Sequence, residues 1–189
     1  EALGTGHAIL KARYHIGNEP FAVLFGDDLV VSEEPCLAQL LRLYDKYSAS
    51  ILAVQRVPPQ EVSEYGIVRG KPVNEVHLVE DLVEKPKPEE APSNLALLGR
   101  YILEPDIFDI LEKTPFSQRG ELELTDAIKT MAKHKVVYAY EISGKWYTVG
   151  DRLSYLKTTV EFALRREDLK EPFWEYLKGL VDGGLDVEP

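Results

Sequence analysis

The stretch Phe21-Ala-Val-Leu-Phe-Gly-Asp-Asp-Leu-Val30 runs through five apolar residues and then turns into a glycine and two adjacent carboxylates. Acids delivered together at the end of a strand suit a hard divalent cation such as Mg²⁺, which takes one or two carboxylates and completes its shell with phosphate oxygens and water. Asp27 and Asp28 are therefore the first candidates for chemistry, and a plain Gly-Asp-Asp turn is the competing account. Glu84-Lys85-Pro86 pairs an acid that accepts from sugar hydroxyls with a cation that donates to a phosphate. A solvated ion pair in an acidic, proline-punctuated loop would carry the same letters. Tyr65-Gly66 either brings bare backbone against a sugar ring or simply turns the chain. Gly4-Thr-Gly-His-Ala8 is a glycine turn entering a helix, where backbone N–H groups can approach a ligand closely. His7 in it reads as a packed or capping residue rather than a base. Gly120-Glu-Leu-Glu-Leu-Thr-Asp126 reads first as a helix start whose acids suit the dipole.

These residues need elements to hold them. The run Phe21–Phe25 is apolar on both faces, as a central strand is. Ser32-Glu-Glu-Pro35 has the signature of a helix start, and Leu37, Leu40, Leu41, Tyr44 and Tyr47 then fall on one face. Ala49–Val57 is a second buried strand, closed by Pro58-Pro59. Strand, helix, strand in this span is a βαβ unit with a right-handed crossover, and the ligands of such sheets sit beyond the carboxyl ends of the strands, where Asp27 and Asp28 lie. Further strands are expected at Gly66–Arg69, Val76–Val83, Leu95–Leu103 and Val136–Ile142, with helices at Asp106–Lys113 and Leu122–Lys133. Asp151 is placed to cap a helix carrying Leu153, Leu156 and Val160, and a last amphipathic helix carries Phe173, Trp174 and Leu177. One α/β domain over residues 1–180, followed by a frayed tail at 181–189, is the simplest organisation.

The bulk composition narrows the possibilities. Of 189 residues, 44% are hydrophobic and 29% charged, which is ordinary for a globular protein, and the net charge is −10. An acidic chain argues against a nucleic-acid partner, because phosphate backbones need clustered Lys and Arg. An anionic substrate must then be held by a metal ion or by backbone N–H groups. Cys36 is the single cysteine, which excludes an intrachain disulfide and a multi-thiolate metal site and makes the reducing cytoplasm the default. No apolar run approaches the roughly 20 residues that span a bilayer, so no membrane role is expected. The chain opens on Glu1-Ala-Leu-Gly4 without an initiator Met, and the natural polypeptide is expected to begin earlier.

Taken in order, Glu1-Ala-Leu-Gly-Thr-Gly-His-Ala8, Phe21-Ala-Val-Leu-Phe-Gly-Asp-Asp28, Tyr65-Gly66, Val83-Glu-Lys-Pro-Lys-Pro88 and Asn94-Leu-Ala-Leu-Leu-Gly-Arg-Tyr101 resemble the bacterial UTP–glucose-1-phosphate uridylyltransferases, and more broadly the sugar-nucleotide pyrophosphorylases. The resemblance continues through Gly120–Ile128, Gly144–Asp151 and Tyr155–Leu164, nearly the whole chain. It implies a Rossmann-like nucleotidyltransferase sheet, mostly parallel and flanked by helices, lacking its N-terminal strand. It also implies the Mg²⁺-dependent reaction of UTP with glucose 1-phosphate to give UDP-glucose and pyrophosphate. By position, Asp27 is the expected metal ligand and Asp28 stands beside it. Asp27 and Lys85 are the expected catalytic groups. Gly4 would meet the uracil through its backbone, while Gly66, Glu84, Lys85 and Gly99 would hold the glucosyl phosphate, and Tyr65, Asp28 and Glu121 complete the expected substrate contacts. Members of the family commonly self-associate, so a homo-oligomer is expected.

Two departures from the family pattern stand out. The family's glycine-rich, triphosphate-binding loop and its first strand lie upstream of Glu1-Ala-Leu-Gly4, so the chain is expected to be an incomplete portion without turnover of its own. Tyr147-Thr-Val-Gly150 stands where the family has Tyr-Asp-x-Gly, so Thr148 offers a neutral hydroxyl in place of a second carboxylate ligand. The alternatives are a related pyrophosphorylase with another base or sugar, a non-catalytic binding or assembly module, and a metal-dependent glycosyltransferase. The later motifs disfavour the last of these.

Overall fold

The computed structural model describes residues 1–183. The chain divides into two units, one of Glu1–Gly26 with Val30–Trp146, the other of Asp27–Leu29 with the residues from Tyr147 onward. The first begins with α1 (Thr5–Lys11), α2 (Arg13–Ile16) and β1 (Phe21–Leu24). The chain then passes through β2 (Asp28–Val31), α3 (Cys36–Tyr47), β3 (Ser50–Arg56), β4 (Gly66–Val73), β5 (Val76–Glu84) and β6 (Leu95–Leu103). It continues with α4 (Asp106–Leu111), α5 (Leu124–Ala132), β7 (Val137–Glu141) and β8 (Lys145–Thr148). The strands β2 and β8 form a separate two-stranded sheet that the sequence pattern did not indicate.

The main sheet has six strands in the order β1-β6-β3-β7-β5-β4, and β4 also pairs with β6, so that β6, β3, β7, β5 and β4 close a circuit. The α/β nucleotidyltransferase fold holds, but the expectation of a mostly parallel sheet does not. Among the described pairings only β3–β7 is parallel, whereas β1–β6, β3–β6, β4–β5, β4–β6 and β5–β7 are antiparallel. β1 and β3 do run the same way, but β6 lies between them and opposes both. β1 is also an edge strand and not the central one expected, with Leu24 52% exposed, so its apolar run was a guide neither to position nor to direction.

Side-chain alternation along β3 sends Ile51 and Ala53 to one face and Leu52 and Val54 to the other. The first face packs on Leu40 and Leu43 of α3, and the second packs on Phe108 of α4 and Ile128 and Met131 of α5. The buried stripe of α3 is Cys36, Gln39, Leu40 and Leu43, and the expected core residue Leu41 is 45% exposed instead. The helix starts after Pro35, and Ser32 donates its hydroxyl to the Glu34 carbonyl at 2.6 Å rather than capping it.

In the second unit, Asp151 is the cap that its sequence position suggests. Its Oδ1 accepts from the N–H groups of Leu153 at 2.9 Å and Ser154 at 3.0 Å, starting α6 (Arg152–Ala163). The only buried residue of α6 is Thr158, and the expected apolar stripe is open, with Leu153 and Leu156 exposed. The last helix, α7 (Lys170–Asp182), has no buried residue. Of the tail expected at 181–189, residues 184–189 lie outside the described residues.

Candidate functional site

The antiparallel ladder between β4 and β5 sets Gly66 directly opposite Glu84. One step beyond, the Lys85 N–H donates to the Tyr65 carbonyl at 3.0 Å. Four sequence candidates, Tyr65, Gly66, Glu84 and Lys85, thus meet at one end of a hairpin. Tyr65 packs its ring on Trp146 at 4.9 Å. Gly66 turns its bare face inward, where a Cβ would lie 3.0 Å from Leu97 Cδ1 and 3.1 Å from Glu84 Oε2. Lys85 adopts φ 44°, in the left-handed region, just before Pro86. For a non-glycine residue that backbone costs on the order of 1–3 kcal/mol, a strain that clusters where a side chain must be aimed.

Glu84 is held in turn. Thr125, at the start of α5, donates its hydroxyl to Glu84 Oε2 at 2.6 Å, and Arg119 Nη2 lies 3.5 Å from Glu84 Oε1. Arg119 is anchored by Glu123, whose Oε1 accepts from Arg119 Nη2 at 2.8 Å and from the Ser117 hydroxyl at 3.0 Å. The hydrogen bond to Glu123 raises the pKa of the Arg119 guanidinium further, so it is a permanent cation. Burial, with Glu123 nearby, pushes the Asp126 carboxyl above its ordinary range. A pocket of about 340 Å³ opens among Glu84, Lys85, Ser117, Arg119, Glu123 and Lys129. Another, of about 360 Å³, lies beside Arg13, Glu104 and Asp109 and contains none of the sequence candidates.

Gly4 and Glu121 are brought together elsewhere in the same unit. The Leu122 N–H donates to the Leu3 carbonyl at 2.8 Å and the Gly6 N–H to the Leu122 carbonyl at 2.9 Å, clamping Gly4 between them. A Cβ on Gly4 would lie 3.0 Å from Glu121 Cβ. Gly99 is buried in β6, and its carbonyl accepts from the Phe25 N–H at 2.9 Å and from Arg100 Nη1 at 2.8 Å.

In the second unit Asp27 is exposed and Asp28 is only 8% exposed, so the two acids of the motif part company at once. Asp27 is fixed through its carbonyl, which accepts from the Val149 N–H at 2.8 Å. A Cβ on Gly150 would come 3.1 Å from Asp27 Oδ2 and 3.6 Å from Thr148 Oγ1. The glycine therefore leaves open space beside one carboxylate and one hydroxyl. No group of three or more His, Cys, Asp or Glu side chains suited to a metal occurs among the described residues. This donor set fits a cation that takes one carboxylate from the protein and the rest of its shell from phosphate and water, as Mg²⁺ does.

Sequence reasoning missed Thr125, Arg119 and Glu123 as members of the site. Arg119 and Glu123 lie in the loop before α5, where spacing along the chain signals no pairing, and the contacts of Thr125 and Arg119 with Glu84 depend on how the start of α5 packs against β5.

A family profile described as nucleotidyl transferase matches residues 1–164. A UTP–glucose-1-phosphate uridylyltransferase of Staphylococcus saprophyticus is 46% identical over 181 residues, covering 95% of this chain and 63% of that protein. One from Streptococcus pyogenes is 45% identical over 180 residues, covering 92% of this chain and 59% of that protein. A crystal structure of a UDP-glucose pyrophosphorylase complexed with UDP-glucose superposes with a TM-score of 0.85 at 45% identity, over 88% of this chain and 64% of that one. A UTP-bound enzyme of the same kind from Acinetobacter baumannii gives 0.83 at 34% identity, over 95% of this chain and 63% of that one. The chain thus spans about three-fifths of the length of the curated relatives it matches.

Proposed function

The chain belongs to the nucleotidyl transferase family, and on that premise we propose that it carries the sugar-phosphate-binding and metal-binding parts of a UTP–glucose-1-phosphate uridylyltransferase. The reaction is the attack of a phosphate oxygen of glucose 1-phosphate on the α-phosphorus of UTP. A new P–O bond forms as the bond to the bridging oxygen breaks, its electron pair leaving on pyrophosphate, and UDP-glucose is the other product. The relatives named for this activity support the reading, as does the similar pyrophosphorylase whose structure is a complex with UDP-glucose.

The single observation that carries it within this chain is the Gly66–Glu84 register with Lys85 beside it. A carboxylate that accepts from sugar hydroxyls and an ammonium that donates to a phosphate stand on adjacent residues, with the bare face of Gly66 lying tightly against that carboxylate. In-line phosphoryl transfer asks the protein chiefly for positioning and charge neutralisation. Lys85 supplies one positive charge to the sugar phosphate, and the rigid hairpin end orients it. Gly4 offers backbone to the base, and Gly66, whose bare face lies against Glu84, offers backbone to the sugar, with Gly99 as a further expected contact. Asp27 would hold Mg²⁺, with Thr148 as a neutral neighbour. When bound, the cation neutralises charge on the nucleotide phosphates. The proposal extends to self-association in the cytoplasm, supported by the exposed Leu153, Tyr155 and Leu156 of α6 and Trp174 and Tyr176 of α7.

Calorimetric titration of the chain with UDP-glucose, with and without Mg²⁺ and against UDP-galactose and dTDP-glucose, tests the proposal without requiring turnover. Mg²⁺-dependent binding that favours UDP-glucose is expected. Equal binding of the three nucleotides would redirect the assignment to another base or sugar, and binding indifferent to Mg²⁺ would remove Asp27 from its role.

A further inference from the structure

We infer that Thr125 and Arg119 are positioning residues that aim Glu84 at the sugar, so that the site selects a ligand presenting hydroxyl donors. The inference rests on Glu84 being a sugar ligand.

The geometry is specific. Glu84 is the last residue of β5, and its side chain keeps 21% of its surface exposed. A lone glutamate at a strand end would sample several rotamers, each reaching a different point. Here both oxygens are tied. Oε2 accepts the Thr125 hydroxyl at 2.6 Å, a short charge-assisted bond. Oε1 faces the Arg119 guanidinium at 3.5 Å. Gly66 backs the pair, since a Cβ there would lie 3.1 Å from Glu84 Oε2 and 3.3 Å from Thr125 Oγ1. The donor side is itself anchored. Thr125 is 8% exposed, and Arg119 is clamped by Glu123, whose side chain is 7% exposed and also accepts from Ser117.

The consequence is chemical. An ionised carboxylate has about four acceptor positions. Thr125 occupies one and Arg119 biases another, which leaves the exposed edge of the carboxylate to accept from incoming donors. A sugar ring with vicinal hydroxyls satisfies that edge, whereas a ligand presenting only acceptors is repelled.

The test measures affinity for UDP and UDP-glucose in the wild type, Thr125→Val, Thr125→Ser, Arg119→Gln and Glu84→Gln, by calorimetry with Mg²⁺. The readout is the ratio of the two dissociation constants, which isolates the sugar's contribution and is insensitive to a general loss of stability. Thr125→Val and Arg119→Gln should each reduce the ratio, the former by about tenfold, with UDP affinity held within about twofold. Thr125→Ser, which restores the hydroxyl, should return it to the wild-type value. If Glu84→Gln reduces the ratio while Thr125→Val and Arg119→Gln leave it unchanged, the inference is overturned and the sugar reading of Glu84 stands. If Glu84→Gln leaves the ratio unchanged, or the wild type prefers UDP-glucose to UDP by no margin, the reading of Glu84 fails and the inference falls with it. Should Thr125→Val unfold, Arg119→Gln decides, because its guanidinium lies at the surface.

Discussion

Replacing Gly4 with alanine separates what this glycine does for the fold from what it offers a ligand. Gly4 has φ 97° and ψ 167°, a region essentially confined to glycine, and a side chain there costs on the order of 1–3 kcal/mol in backbone strain. The new Cβ would also lie 2.8 Å from the Leu122 carbonyl oxygen and 3.0 Å from Leu122 N. Both are backbone atoms, held by the hydrogen bonds from Leu122 N–H to Leu3 and from Gly6 N–H to Leu122, so they cannot swing aside as a side-chain tip would. Overpacking of this kind adds about 1–3 kcal/mol. The sum, about 2–6 kcal/mol, corresponds to a fall in melting temperature of roughly 5–20 °C for a chain of this size. Two controls fix the interpretation. Gly17 also has positive φ, 70°, but a Cβ there meets nothing within 4 Å, so its alanine variant carries the strain alone. Gly26 has neither feature, and its variant should melt within a few degrees of the wild type. Thermal denaturation followed by circular dichroism ranks the three. Gly4→Ala melting together with Gly26→Ala would refute the clamp.

Asp27→Asn should leave melting unchanged, because the side chain is exposed and the residue is held through its carbonyl, and should abolish the Mg²⁺ dependence of nucleotide binding in calorimetry. Thr148→Asp, which adds a carboxylate across the open space at Gly150, should tighten divalent-cation binding about tenfold, or ~1.4 kcal/mol. An unchanged Mg²⁺ titration would detach Thr148 from the site. Lys129→Met removes the partner that holds the Asp81 carboxyl below its ordinary range. Because that carboxyl is depressed in the fold, its stabilisation is present above the ordinary carboxylate pKa of about 4 and is lost as pH falls below it. The pair is partly exposed, so urea unfolding should show the variant less stable by at most about 1 kcal/mol at pH 7, with the gap closing near pH 3. A gap of equal size at both pH values would mean that the lysine acts through packing.

The strands were legible because β-branched and aliphatic runs between prolines, glycines and acids leave few other options. Leu95–Leu103 was placed to the residue. Direction was not legible, for the reason β6 illustrates: its neighbours β1 and β3 both oppose it, and nothing in an apolar run encodes that. The ribbon of β2 and β8 was missed because its strands, Asp-Leu-Val-Val and Lys-Trp-Tyr-Thr, neither alternate strictly nor form an all-apolar run as β1 does. The site divides in the same way. Asp27, Glu84 and Lys85 announce themselves through local context, a strand end or an acid-base pair before proline. Thr125 reads only as part of a helix start and Arg119 gives no signal, and their contacts with Glu84 form only where α5 lies against β5. The difference between exposed Asp27 and buried Asp28 follows from alternation at the first residue of β2, a strand the sequence had hidden.

One irregularity in the β4–β5 hairpin bears directly on the site. From the turn, the register runs Val73 to Val76 and on to Gly70 opposite Val79, then shifts, with Arg69 opposite Asp81 and Gly66 opposite Glu84. Glu80 is the extra residue of a bulge. Had the first register continued, Gly66 would face Val83, and Glu84 would stand one place off. A one-residue slip sends every side chain to the other face of a sheet. The bulge thus sets which residue reaches Thr125. Deleting Glu80 separates the bulge from the register it sets. The turn end is pinned by the left-handed Asn74, φ 53°, and by the pairing of His77 with Ala139 and Leu78 with Tyr138 of β7. Asp81 then follows Val79 directly and still stands opposite Arg69, so a regular ladder without the bulge keeps Gly66 opposite Glu84. Far-ultraviolet circular dichroism should keep its strand signal, and the preference for UDP-glucose over UDP should survive. Loss of that preference with the strand signal intact would mean that the bulge itself, and not the pairing it sets, positions Glu84.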